Sequence, residues 1–447
     1  MNTPIPSRTL LACALALALA LPASPAWCAQ SKAAAQTPTA TLAETALPAL
    51  DSLPRPSLPQ TVAIERTLAE TPALQEAQAM QQAAAHNGAV LRAGTNEFTA
   101  QAQVQQRRIE TQPDAGRYTE WQLLINRQLR LPAQALADAR MAEALQVSAE
   151  AGRAAARQQL LGGLLTAWFA AERAQAEATL AQQDLALIDA QVKALQRRQA
   201  LGDASVLDVE QMQAEQARAH ATLLLAQGLA ASSRAALLAR YPQLAQGDTL
   251  LQQPPGDALA LPAMSADQLG AQAAQASALL MAQRAALQRA QATAEQAKAA
   301  RTPQPTVGAY VGSDRGGSER IVGLQFAMPF GGPARVSQER AALAEVDAAQ
   351  WRLRDLQAQT QAEFAQLYAS AQAQAAAANA AAQAAQTQIQ ASARMLRAYQ
   401  LGEAGLSDWL LARRSALDAT RMLLQSRFDA AVSAAQLKLQ TGLLYAP

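Results

Sequence analysis

Cysteine, histidine and aromatic residues are scarce in this chain of 447 residues. The two cysteines, Cys13 and Cys28, both lie near the start, so the greater part of the chain has no disulfide framework. His86 and His220 occur in different helical segments, with no cysteine or carboxylate at ligand spacing, which argues against a metal centre. We therefore expect a fold that is stabilised by packing and that holds no cofactor.

A strong charge of one sign is also absent, and so are the common catalytic motifs. The formal net charge is +2 without a basic stripe, which argues against a nucleic-acid partner. No phosphate-binding glycine loop and no nucleophile elbow occurs, so neither an ATPase nor a hydrolase is expected. Beyond residue 28, no apolar run approaches the ~20 residues of a membrane-spanning helix, so any membrane contact would be made by strands.

The start of the chain has the pattern of a secretory signal peptide. Arg8 precedes an apolar stretch at 10–21, and prolines and small residues follow it, so we assign residues 1–28 to the signal peptide. Cleavage after Ala26 and cleavage after Cys28 both fit the pattern. A lipid on Cys28 is disfavoured by the bulky tryptophan before it, but it stays open. The pattern predicts an exported protein.

The exported part divides into a leader, two similar repeats and a linker. Residues 29–61 are rich in proline and predict an extended leader. Residues 62–241 form the first repeat and residues 265–447 the second, with a linker at 242–264. Abundant alanine, leucine and glutamine indicate long helices, and each repeat predicts a helix, a strand hairpin, a very long helix and a returning helix.

The predicted strands alternate between apolar and polar residues. They span about 96–107, 118–129, 306–312 and 320–329. Period-two alternation suits a transmembrane barrel, although a half-buried sheet on a soluble core has the same pattern. Aromatic residues near the strand ends favour the membrane, and four strands are too few to close a barrel. We therefore expect closure with other copies of the chain.

The predicted long helices, at 133–200 and 334–400, contain no proline and could each extend ~100 Å at 1.5 Å per residue. Apolar residues at heptad spacing, such as Leu410, Leu417 and Leu424, predict that each packs against an antiparallel returning helix. A coiled-coil structural protein would explain these helices. It would leave the alternating hairpins unexplained.

The two helix reversals are the most specific feature of the sequence. Leu201-Gly202-Asp203-Ala204, followed by Asp208, recurs as Leu401-Gly402-Glu403-Ala404, followed by Asp408. Together with the order of predicted elements, these segments resemble the TolC-like outer-membrane efflux proteins over about residues 62 to 445. Further matching segments are Tyr399-Gln400, Leu411-Ala412, Leu439-Gln440-Thr441-Gly442 and Met328-Pro329-Phe330-Gly331-Gly332.

This resemblance implies a mainly α fold with a transmembrane β-barrel contribution. It implies a homotrimer in the outer membrane, a tunnel across the periplasm, and passive export fed by a periplasmic adaptor protein and an inner-membrane pump. Segments 97–98, 118–121 and 129–132 resemble the branch that is paired with heavy-metal pumps of the RND type. The alternative is a periplasmic coiled-coil adaptor or a structural protein of an export complex, which would have one hairpin and no duplicated strand pair.

The resemblance also implies an adaptor-contacting tip at the helix reversals. Gly is suited to a reversal because it tolerates unusual backbone angles at no steric cost. The residues expected to carry the contact are Arg197, Leu201, Gly202, Leu401 and Gly402.

A gate near the same end is implied for Asp208, Asp408 and Tyr399, with the aspartates forming a cation-sensitive constriction. A structural role is open for Asp208, since Ser205 and Asp208 fit a capping box at the start of the returning helix. Capping explains Asp408 less well, because Gly405 takes the place of the serine. Where some members of the family have a gating arginine and a second aspartate, this chain has Ala404 and Leu411.

Overall fold

The computed structural model describes residues 50–113, 115–246 and 260–445. The predicted signal peptide, Cys28 and the first part of the leader lie outside the described residues, and so does most of the linker predicted at 242–264.

One order of elements occurs twice along the chain. In the first repeat it is α1 (Thr61–Glu70), α2 (Pro72–Ala93), β1 (Phe98–Ile109), β2 (Gly116–Gln128), α3 (Pro132–Ala200) and α4 (Val206–Arg240). In the second it is α5 (Ala266–Ala276), α6 (Ala278–Ala299), β3 (Thr306–Asp314), β4 (Glu319–Ala327), α7 (Pro333–Gln400) and α8 (Leu406–Gln440). The corresponding helices match in length, with 69 residues in α3 and 68 in α7.

The helix that precedes each hairpin is interrupted, which the sequence patterns did not predict. The helical pattern from 62 to 92 breaks at Thr71, whose backbone is extended (φ −71°, ψ 127°), because the residue before Pro72 is pushed out of the helical region. The pattern from 265 to 301 breaks at Ser277, and the Ser277 hydroxyl accepts a hydrogen bond from the Leu280 N–H at 3.2 Å. Each predicted helix is therefore two helices.

The four strands form one antiparallel sheet in the order β1-β2-β3-β4. The central pairing of β2 with β3 joins the two repeats, with Trp121 opposite Ser313 and Ile125 opposite Ala309. The predicted alternation is present. We call one side of the sheet the apolar face. It presents Arg127, which lies opposite Phe98 and Val307, and otherwise mainly apolar residues: Phe98, Ala100, Ala102, Val104, Trp121, Leu123, Ile125, Val307, Ala309, Val311, Val322, Leu324 and Phe326. Strand β4 ends at Ala327, earlier than the predicted 329.

The long helices pair as antiparallel hairpins, α3 with α4 and α7 with α8, and α2 and α6 pack beside them. We call these six helices the helical body. Predicted heptad residues lie in the interfaces: Leu410 and Leu417 are buried, and Leu424 is completely enclosed. The largest core surrounds Trp168, where residues from α1, α3, α4 and α8 meet.

The end of the leader packs against α3. Leu50–Ser52 form a short 3₁₀ turn, and Leu53 is buried. The Trp168 indole N–H donates to the Ser57 carbonyl at 2.9 Å, and the Ser57 N–H and hydroxyl donate to the Glu172 carboxylate at 3.1 and 2.5 Å. Burial raises the pKa of Glu172, although the bonds from Ser57 and Trp168 oppose the shift. The described end of the leader is thus a packed part of the fold and includes a helical turn, which the prediction of an extended leader did not include.

One helix among the described residues, α4, is long and apolar enough to cross a membrane, with a mean hydropathy of 1.3 over 18 residues. The sequence analysis expected no such segment. Glu215 of α4 is buried in ion pairs with other helices, and α4 packs against α3, so the helix is part of the helical body. Its composition alone is weak evidence for a membrane span.

Candidate functional site

Both helix reversals close in the same way. In the first, the Gly202 N–H donates to the Gln199 carbonyl at 3.0 Å and the Asp203 N–H to the Arg198 carbonyl at 2.8 Å. In the second, the Gly402 N–H donates to the Tyr399 carbonyl at 3.1 Å and the Glu403 N–H to the Ala398 carbonyl at 2.9 Å. This pair of bonds defines a Schellman motif, which needs a residue with positive φ after the helix. Gly202 (φ 86°) and Gly402 (φ 79°) supply it.

The two reversals are exposed at the end of the helical body. Leu201 and Leu401 are 78% and 67% exposed. A Cβ atom added at Gly202 or Gly402 would meet nothing within 4 Å. Substitution at these glycines would therefore be opposed by backbone strain and not by crowding, and the space around them is open to a partner. Arg197 lies at the end of α3, and its carbonyl accepts a hydrogen bond from the Leu201 N–H at 3.2 Å.

Asp208 has the structural role that the sequence predicted. The Asp208 N–H donates to the Ser205 hydroxyl at 3.0 Å, and the Ser205 N–H donates to the Asp208 carboxylate at 3.4 Å. Both bonds of the capping box at the start of α4 are thus present.

As expected, capping explains Asp408 less well than Asp208, because only half of the capping box is present. Without a serine, the bond to the helix N–H of Asp408 is lost, but the Asp408 carboxylate still accepts from the Gly405 N–H at 3.2 Å. The carboxylate half of the capping box needs only a backbone donor, and glycine has one. Asp408 is more exposed than Asp208, and this bond lies within its own turn.

Tyr399 connects the two helical hairpins near their tips. Its ring stacks on Trp409 at 6.1 Å between centroids, and the Arg198 guanidinium lies 5.7 Å from the same ring. Burial raises the pKa of Tyr399, with the Asp208 carboxylate acting in the same direction and Arg198 against it. The contact with Arg198 thus links Tyr399 to the other repeat. Trp409, which the sequence analysis did not single out, is 1% exposed and anchors this cluster.

A buried ion cluster lies further along the same helices, and the sequence analysis missed it. The Arg413 guanidinium in α8 pairs with the Asp184 carboxylate in α3, and also with the Glu215 carboxylate in α4 at 3.2 Å. Arg414 adds a second cation to Glu215 at 2.5 Å. We call Asp184, Glu215, Arg413 and Arg414 the ion cluster. It joins three helices and both repeats.

Three of the four members of the ion cluster are almost entirely out of water. The side chains of Arg413, Asp184 and Glu215 are 1%, 5% and 7% exposed. Burial raises the pKa of Asp184, while Arg413 opposes the shift. Burial alone would raise the pKa of Glu215 too, but the bonds and charges of Arg414 and Arg413 outweigh it and lower that pKa. At both carboxyl groups, the arginines of α8 thus oppose the rise in pKa that burial causes.

A signal for the ion cluster was present in the sequence. Arg413 falls on the buried stripe of α8, between Leu410 and Leu417, where an apolar residue is expected. Asp184 and Glu215 interrupt the corresponding stripes of α3 and α4. One cation and two acids on facing apolar stripes indicate a buried pairing.

No protein-family model and no curated protein matches this chain at a significant level. Solved structures do match its fold. The chain is similar to the outer-membrane channel OprN, with 18% identity over 86% of this chain and 90% of that one, and a TM-score of 0.72. It is also similar to the outer membrane protein VceC from Vibrio cholerae, with 23% identity over 86% and 95% of the two chains and a TM-score of 0.67.

A third similar structure is the CmeC outer membrane channel from Campylobacter jejuni, with 13% identity over 87% and 89% of the two chains and a TM-score of 0.68. The fold of this chain is therefore that of the outer-membrane channel proteins. It agrees with the TolC-like resemblance of the sequence, with long paired helices and a strand hairpin in each repeat.

Proposed function

We propose that this protein is the outer-membrane exit duct of a tripartite efflux system. Its partners would be a periplasmic adaptor and an inner-membrane pump, and it would conduct substrates passively. The observation that carries the proposal is the four-stranded sheet, which has one exposed apolar face and two open edges and which lies at the start of helices of 69 and 68 residues.

The apolar face supports a position in lipid. Val322, Leu324 and Phe326 on β4 are 81%, 88% and 68% exposed, and Val104 on β1 is 73% exposed. A monomer in water would leave this contiguous surface uncovered, which soluble proteins rarely do. The opposite face is polar, with Gln103, Gln105 and Gln122 among its residues, as expected of a water-filled lumen.

The open edges support an oligomer. Strands β1 and β4 each have one side without a partner strand among the described residues. A membrane does not tolerate such edges, so β4 of one copy would pair with β1 of the next. The order of strands would keep all neighbours antiparallel around a closed barrel. Exposed leucines on the helical body, such as Leu225 at 77% and Leu229 at 51%, would be covered by the same neighbours.

The dimensions of the helices support a periplasmic tunnel. At 1.5 Å per residue, α3 and α7 extend roughly 100 Å from the sheet to the glycine turns. The tips would therefore lie far from the outer membrane. We place the adaptor contact there, at Arg197, Leu201, Gly202, Leu401 and Gly402, because the two leucines are exposed and the glycines are uncrowded.

We place the gate at Tyr399, Asp208 and Asp408, just inside the tips. Tyr399 bridges the two hairpins through Arg198 and Trp409, so its position responds to any separation of the hairpins. The capping bonds of Asp208 and Asp408 leave carboxylate lone pairs free to bind a cation. Leu411, where some family members have a second aspartate, is 67% exposed and adds no charge to such a ring.

Energy for transport would come from the pump, and an RND-type pump is the partner that the sequence resemblance favours. The chain itself has no nucleotide-binding motif.

A matched pair of variants tests the membrane assignment. Leu324→Arg on the apolar face should prevent stable insertion, because an arginine costs ~2–4 kcal/mol at the middle of the membrane and the cost recurs in each copy. Gln325→Arg, one residue along on the polar face, should insert normally. Membrane fractionation and conductance in planar bilayers measure the result. A soluble wild-type monomer, or equal insertion of both variants, would refute the proposal.

A further inference from the structure

The rim of the sheet beyond the apolar face carries arginines on the same side as the apolar residues. Strand register places Arg108 of β1 directly opposite Arg117 of β2, and Arg320 of β4 opposite Ser313. By alternation, all three arginines share the face of Trp121 and Val322. All three are exposed.

The position of these arginines relative to the apolar face is defined by the register. Trp121 and Arg320 belong to the last row that contains large apolar residues, since both pair with Ser313. Arg108 and Arg117 follow four residues further along β1 and β2, which is ~14 Å along the strand and roughly 10 Å along the membrane normal for a tilted strand. That is the depth of lipid headgroups beyond a hydrocarbon core. Tryptophan at the boundary is typical of the interface.

Among the described residues, the one ion pair that these three arginines make is an exposed one, between Arg108 and Glu110. Two arginines directly opposite each other on one face repel, so the Arg108–Arg117 pair is unfavourable without an anion between them. Arg108 is 3.5 Å from Glu110, but both side chains are largely exposed and the pair is worth little. By alternation, Glu120 and Glu319 fall on the polar face, where Glu120 pairs with Arg107.

We infer that Arg108, Arg117 and Arg320 form a binding site for the phosphate groups of lipid headgroups in the outer leaflet. This inference rests on the proposed function, which puts the apolar face in the membrane. Arginine binds phosphate with two parallel hydrogen bonds, and a phosphate between Arg108 and Arg117 would remove their repulsion. Arg320 lies on β4, two strands away from Arg117, and in the row of Trp121, which is closer to the middle of the membrane. Its long side chain can extend toward the same headgroup layer.

The test uses the purified oligomer in detergent and lipid A that carries both phosphates. Native mass spectrometry counts the bound lipid, and circular dichroism follows the melting temperature. The wild type should bind the lipid and melt at a higher temperature with it. Arg117→Gln with Arg320→Gln should bind about 30-fold more weakly, since each arginine near an anionic lipid surface contributes about a factor of five. Arg117→Lys with Arg320→Lys should bind with intermediate strength.

Three controls decide the assignment. Arg315→Gln removes a charge from the turn beyond the strands, where Arg315 pairs with Glu319, and should bind the lipid like the wild type. Lipid A without phosphates should not raise the melting temperature. Inorganic phosphate alone should not raise it either, and an equal effect of free phosphate would overturn the lipid assignment. Equal lipid binding by the wild type and the double glutamine variant would also overturn it. The mass of the protein in the same spectra shows whether the oligomer forms, so failure of the proposed function is detected separately.

Discussion

Removal of Arg413 should open the contact between the two helical hairpins. In Arg413→Met, the Asp184 carboxylate loses its cation while its side chain stays 5% exposed. Removal of one partner from a buried ion pair typically costs about 3–5 kcal/mol. Protonation of Asp184 sets an upper limit to this destabilisation, because a protonated Asp184 carries no unpaired charge. Protonating an ordinary aspartate at pH 7 costs about 4 kcal/mol. Glu215 keeps Arg414, so it adds little. We expect a loss of about 3 kcal/mol.

Amide hydrogen exchange in α8 measures this loss locally, without requiring reversible unfolding of a large oligomer. A loss of about 3 kcal/mol corresponds to roughly 100-fold faster exchange of the amides near Arg413. Arg414→Met is the matched control, because Arg414 is 46% exposed and Glu215 would still pair with Arg413. That variant should change exchange less than about fivefold.

A double variant separates the ion pair from the packing of its side chains. Asp184→Leu together with Arg413→Met replaces the pair by apolar side chains, which is often neutral for stability, so exchange should return close to the wild-type rate. Exchange in Arg413→Met within fivefold of the wild type would refute the reasoning. So would a double variant that is as poorly protected as the single one.

Three further predictions concern the tip, the gate and the effect of pH. Gly202→Trp or Gly402→Trp should impair adaptor docking in a pull-down assay while the oligomer stays intact. Gly202→Ala introduces the same backbone strain at φ 86° without the bulk, so it should dock better than the tryptophan variant. Normal docking and export by both tryptophan variants would count against the tip assignment. Asp408→Ala should weaken the block of single-channel current by a trivalent cation, whereas a purely capping role predicts lower thermal stability and unchanged block. The pKa of Glu215 is lowered on folding, so its stabilisation is complete above an ordinary glutamate pKa of about 4.3 and is lost as the pH falls through the lowered folded value. The difference in melting temperature between the wild type and Glu215→Gln should accordingly shrink in that acidic range, and a difference that grows there would contradict the assignment.

Much of the helical body follows from the sequence, because its signals are local. Heptad spacing placed Leu410, Leu417 and Leu424 in an interface, and glycine marked both reversals at Gly202 and Gly402. The break at Thr71 also had a local signal, the proline that follows it. The break at Ser277 had only a serine, which is too common a residue to indicate a helix start by itself.

Features that depend on distant segments were beyond local patterns. The alternation within each strand predicted two faces, but nothing in the sequence of β2 indicates that it pairs with β3, since four helices lie between them. The contact between Arg198 and Tyr399 likewise depends on how the two hairpins meet. The ion cluster is an intermediate case. Its charged residues were visible on apolar stripes in the sequence, but which of them pair depends on the tertiary structure.

The central claim is that these strands close a barrel with other copies of the chain, and disulfide crosslinking between β4 and β1 tests it most directly. With the natural cysteine at position 28 changed to serine, Gln103→Cys on β1 is combined in turn with Ile321→Cys, Gly323→Cys or Gln325→Cys, all of which share its polar face. We predict that oxidation in membranes links neighbouring chains into closed covalent trimers for at least one of these pairs. The same cysteine combined with Val322→Cys or Leu324→Cys, on the apolar face, should not crosslink. Uncrosslinked monomers for every pair on the polar face would contradict the account.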